Sequence, residues 1–211
     1  MKGLNSLHPC KRTLRTNIKV IISTQMTMKL PFILAVSSLV IGLCIGAVIS
    51  LDSTLREATN KQSSTAPVNT RPLLDGADEW RYIFSTNLIV SFKMLFGILT
   101  LGMIGMVSLC WTGINLSWVL LSAYESGVSL YAIAALILPH GVVELAGFVF
   151  FGAVGCEGLV LFYQKLRHDT WLIDSNRLAV NVRRLVTGFL LISAASIIEA
   201  FVTGQIAAKI N

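Results

Sequence analysis

Charge is scarce in this 211-residue sequence: 17 Lys and Arg and 11 Asp and Glu make up 13% of it, against 54% hydrophobic residues. A soluble domain carries about 25% charged residues, so this composition argues against one. Acid is missing altogether from residues 1–29, which hold Lys2, Lys11, Arg12, Arg15, Lys19 and Lys29. Histidine is nearly missing, with three residues (His8, His140 and His168) and no H-E-x-x-H spacing, which removes the usual sequence basis for a zinc peptidase. The four cysteines, Cys10, Cys44, Cys110 and Cys156, have no C-x-x-C spacing for metal or redox work; those in or beside apolar runs read as small packing residues. No small-x-small cleavage site follows a short apolar run near the start, so a cleavable signal peptide is not expected. No basic folded domain with interleaved aromatics is present, and no nucleic-acid partner is expected.

The sequence is rich in apolar runs, with a mean hydropathy of +0.71. About 20 apolar residues cross the hydrocarbon layer as a helix. Leu30 to Leu51 is such a run without a charge. Asn87 to Leu109 carries only Lys93, Val142 to Tyr163 carries Glu144 and Glu157, and Leu185 to Ala208 carries Glu199. Ile114 to Leu138 is weaker, interrupted by Asn115, Ser117, Glu125 and Ser126, yet it fits as a fifth crossing. The expected fold class is therefore all-α, a polytopic transmembrane helical bundle of about five spans, with the lipid bilayer as its first partner.

Cytoplasmic flanks are enriched in Lys and Arg. The basic segment 1–29 is thus placed inside, ahead of a transmembrane helical domain over 30–211. The outer loop 52–84 is near charge balance, with Arg56, Lys61, Arg71 and Arg81 facing Asp52, Glu57, Asp75, Asp78 and Glu79. The linker 164–184, with Lys165, Arg167, Arg177, Arg183 and Arg184 against Asp169 and Asp174, is placed inside. Five crossings satisfy these assignments and predict a multi-pass plasma-membrane protein with its N-terminus cytoplasmic and its C-terminus extracytoplasmic. Within 11–28, Leu14, Ile18, Ile21 and Ile22 share one helical face opposite the cations, as in an amphipathic helix lying on the anionic inner leaflet. Trp80, Tyr82 and Phe84 precede the second run as an interfacial belt would. Gly42 and Gly46, Gly97 and Gly102, and Gly147 and Gly152 mark faces where helices approach closely; such faces serve packing within one chain or between copies, so a homo-oligomer is allowed.

Intramembrane acids are costly and persist where they pair, line a cavity or perform a task. Glu125 and Glu157 lie near the ends of their runs, where a side chain reaches water. Glu144 and Glu199 lie deeper. His140 and Glu144, four residues apart, share a face if the segment is helical. Pro139 removes a backbone donor and disfavours helix in Leu138, so a helix start or break is expected there.

These elements resemble the stage II sporulation protein M family of polytopic bacterial membrane proteins. The resemblance rests on Asn87, on Thr100-Leu101-Gly102 within Gly97 to Gly102, on Leu138-Pro139-His140-Gly141 followed by Glu144, and on Ala194 to Thr203 around Glu199. It extends over roughly residues 30 to 207, and departs at Thr112-Gly113, where the family more often has Asn-Gly. It implies a membrane scaffold for spore engulfment and cell-wall remodelling, partnered by wall hydrolases. It equally implies an accessory component of circular bacteriocin maturation, secretion or immunity, partnered by a bacteriocin precursor and an ATPase subunit. The first reading is a non-enzymatic subunit, without cofactor, in which His140, Glu144 and Glu199 form a packing network. The alternative makes the same three residues the catalytic or metal-binding groups of an intramembrane peptidase or ligase; one histidine is little for a metal. A minor alternative is an ion or proton-coupled transporter.

Overall fold

The computed structural model describes residues 29–51, 76–168 and 174–203. Every extended element among them is helical. Helix α1 runs over Lys29–Leu51. Helix α2 covers Gly76–Leu95 and passes through a 3-10 turn, Phe96–Ile98, before α3 over Met103–Glu125. Helix α4 covers Leu130–Gly155, α5 Glu157–His168 and α6 Ser175–Ile198, which ends in the π-helical turn Glu199–Thr203. Four stretches, Lys29–Leu51, Met103–Glu125, Leu130–Arg167 and Ser175–Thr203, are long and apolar enough to cross a membrane. The amphipathic segment 11–28 and most of the outer loop lie outside the described residues.

The first span falls where its hydropathy places it, but the later boundaries move. Asn87 to Leu109 does not form one helix. The chain reverses between Leu95 and Met103, where Leu101 and Gly102 take positive φ values of 54° and 86°. A second reversal, at Gly127 with φ 86°, divides Ile114 to Leu138. The Ser129 hydroxyl then caps α4 by accepting from the amide of Ala132 at 3.2 Å. The expected break at Pro139 is absent: Pro139 sits inside α4, which continues to Gly155. A proline removes one donor, and a membrane helix tolerates this because neighbouring groups and small local adjustments satisfy the freed carbonyl. The break falls instead at Cys156, between α4 and α5. Residues 76–84 of the outer loop and both ends of the linker 164–184 are helical.

Helix α4 is the centre of the bundle, with Gly147, Phe148, Val149 and Phe151 to Gly155 all buried. Antiparallel α6 crosses it where Gly147 meets Ile192 and the Gly188 carbonyl. Antiparallel α3 crosses it where Gly152 meets Leu109. Helix α1 buries one stripe, Pro31, Ala35, Leu39, Gly42, Gly46 and Ser50, at helical spacing. Gly42 lies against the Cys110 carbonyl and Gly46 against Ile114, so α1 and α3 touch backbone to backbone within one chain. Ser117 Oγ strengthens this seam by donating to the Leu43 carbonyl at 2.8 Å. Helix α2 also runs the length of the bundle: Gly76 rests on the Phe201 ring beside the end of α6, and Met94 presents its carbonyl to Gly155. In lipid such close van der Waals contact between small residues supplies much of the association energy.

Candidate functional site

Two polar clusters lie at different heights along the bundle, one on α4 and one at the start of α5. The first contains the sequence-predicted residues. His140 is half-buried, and its Nδ1 is 3.1 Å from Thr203 Oγ1 in the π-helical turn, tying α4 to the end of α6. Glu144 lies one turn further along α4, on the same face. Both line a groove of about 280 Å³ between α3 and α4, together with Gly141, Thr112 and Asn115 and apolar side chains that include Phe148. Thr112 donates to the Ser108 carbonyl at 2.9 Å, and Asn115 Nδ2 to the Trp111 carbonyl at 2.8 Å. That leaves the Asn115 carbonyl oxygen and the Glu144 carboxylate as acceptors in the groove. Among the described residues Glu144 has no hydrogen bond or ion pair, and the like-charged Glu199 is close enough to act on it.

Glu199 opens the π-helical turn on the α6 side and also faces the repulsion of Glu79 in the first turn of α2. Glu79, expected in the outer loop, is thus helical. Among the described residues no three His, Cys, Asp or Glu side chains converge as a metal-binding group. The remaining residues of the predicted motif do not join the groove. Leu138 points outward at 58% exposure. Asn87 is half-buried on α2, where its backbone carbonyl accepts from Ser91 Oγ at 2.8 Å. The groove therefore unites His140, Gly141 and Glu144, with Glu199 close by.

The second cluster was not expected. Glu157, placed by its sequence position near water, is only 3% exposed. Arg177 Nε lies 3.2 Å from its Oε2, and Arg184 Nη1 lies 2.9 Å from its Oε1. Arg184 also donates to Asn181 Oδ1 at 3.0 Å. Arg177, Asn181 and Arg184 recur at helical spacing along one face of α6, and that recurrence was the available signal. Their reading as water-exposed, topology-setting charges masked it. The cluster sits where the α2–α3 reversal meets α5, since Gly158 packs on the Ile98 carbonyl.

An uncharacterised protein of Methanocaldococcus jannaschii is 27% identical over 132 residues, which cover 59% of this chain and 71% of that one. No solved structure matches the chain. The stage II sporulation protein M family matches residues 32–204, from the start of α1 through the π-helical turn that holds Glu199, and the chain belongs to that family.

Proposed function

We propose that this chain is a non-enzymatic, five-crossing subunit of a membrane complex, with α2 as the fifth crossing and the basic N-terminus inside. The observation that carries the reading is the use made of polar groups within the spans. His140 links α4 to Thr203, Glu157 links α5 to two arginines of α6, and Ser117 links α3 to α1. Groups used in this way fix helix packing and present a defined surface to partners. By family resemblance the settings are spore engulfment with cell-wall remodelling, and circular bacteriocin maturation, secretion or immunity. The corresponding partners are wall hydrolases, or a bacteriocin precursor with its ATPase subunit.

A second reading, an intramembrane acid–base enzyme, draws on one observation: the groove holds both His140 and Glu144. Glu144→Gln separates the two, because it keeps the shape and removes the acid. A strain lacking the gene is complemented with wild type or Glu144→Gln, and both the biological output and the amount of membrane-inserted protein are measured. A scaffold predicts output that follows the inserted amount. Output that vanishes at unchanged insertion and unchanged partner recovery overturns the scaffold reading.

A further inference from the structure

The outer half of α2 carries polar residues on an exposed face. Arg81 and Asp78 pair at 3.3 Å with side chains 73% and 61% exposed, and Ser85 and Thr86 are exposed as well. Helices α2 and α4 run in parallel. Gly76 of α2 contacts Phe201, two residues before the Thr203 that meets His140, and Met94 contacts Gly155 at the opposite end. Arg81 lies thirteen residues before Met94, and Val142 thirteen before Gly155, so Arg81 and Glu144 occupy the same height within about one helical turn.

Within one chain they do not meet. Arg81 turns outward to Asp78, while the charge acting on Glu144 comes from Glu199. One face of the bundle thus shows a cation whose exposed pairing with Asp78 contributes little. Another shows a groove with a lone carboxylate and a free amide oxygen. In lipid both are unfavourable. Trp111 and Trp118, 64% and 53% exposed, share the outward stripe of α3 with Asn115, and aromatic faces of this kind suit an approaching guanidinium.

We propose that the protein self-associates in the membrane, the Arg81 face of α2 in one copy docking on the α3–α4 groove of a second, where its guanidinium meets Glu144. The complementarity is of charge and of height: copies inserted in the same orientation hold the two groups at the same depth. The proposal rests on the membrane-spanning part of the functional reading and not on its choice of setting.

The test uses the full chain in lipid vesicles, labelled with donor or acceptor dyes, and reads self-association by energy transfer as a function of protein-to-lipid ratio. Wild type is expected to associate. Arg81→Glu alone and Glu144→Arg alone are each expected to weaken association about tenfold or more. Mixing Arg81→Glu chains with Glu144→Arg chains is expected to restore association to within about threefold of wild type, because each mixed contact is again between opposite charges. Arg81→Gln and Glu144→Gln, which remove one charge without reversing it, serve if a charge reversal unfolds the chain, and each is expected to weaken association by a smaller factor. Wild type that stays monomeric at every density overturns the proposal, as does mixing that restores nothing between two folded variants. Normal insertion in either case leaves the subunit reading to its own complementation test.

Discussion

The two polar clusters on α4 and α5 use the same residue type in opposite ways. Glu157 is enclosed by two guanidinium groups, with Asn181 bound to one of them. Glu144 lies in an open groove and faces a like charge from Glu199. The Glu157 cluster pairs its carboxylate with both arginines inside the chain, so its effect is on folding. The Glu144 cluster leaves its carboxylate unpaired among the described residues, and the proposed contact with a second copy would supply the missing charge. An intramembrane glutamate is therefore not informative by its presence; its partners decide its role.

The largest effect is expected at the complete cluster. Glu157→Gln leaves Arg177 and Arg184 buried without their counter-ion. Removing one member of a buried pair costs about 3–5 kcal/mol. We expect Glu157→Gln to lower the unfolding free energy in detergent by that order, and to reduce membrane-inserted protein. The combined change Glu157→Leu, Arg177→Met and Arg184→Leu should recover most of the loss, because a neutral cluster has no charge to desolvate. Wild-type stability in the single variant would show that water reaches the site and that the cluster is not closed.

A smaller loss is expected where the backbone supports that cluster. A side chain at Gly155 would meet the Met94 carbonyl, so α2 and α4 touch there without room for a methyl group. Gly155→Ala should cost about 1–3 kcal/mol, as overpacking of a close contact does. Gly127→Ala is the control: no atom lies near its added carbon, and only its positive φ opposes the change. Unfolding of both proteins in one detergent series compares the effects. A Gly155→Ala loss no greater than that of Gly127→Ala would mean that the α2–α4 seam is loose.

The contrast between the clusters also sets what the sequence could reveal. The helical class, the first span, the Gly42–Gly46 contact and the shared face of His140 and Glu144 all follow from composition and short spacing. The reversal at 96–102 does not, because its residues (Phe-Gly-Ile-Leu-Thr-Leu-Gly) are as apolar as the helices on either side and a hydropathy run passes straight through it. Pro139 misled in the other direction, since its lost donor is tolerated inside a packed membrane helix. The Glu157 cluster joins residues 20 and 27 positions apart across a linker, and no local pattern reports such a pairing.

The smallest effect is expected at the tie between His140 and Thr203 beside the groove. His140 Nδ1 and Thr203 Oγ1 hold α4 to the π-helical turn at 3.1 Å. Hydrogen bonds between membrane helices contribute about 0.6 kcal/mol on average and up to about 1.7. His140→Ala should therefore lower stability by an amount in that range, and Thr203→Val by a similar amount. The double variant should lose little more than either single one, because both changes remove the same bond. Additive losses would mean that the two side chains act separately, and the α6 end would then be held at the groove by packing alone. In the double-mutant cycle His140 is thereby distinguished from Glu157: a bond that positions one wall of an open site, against an ion pair on which the fold depends.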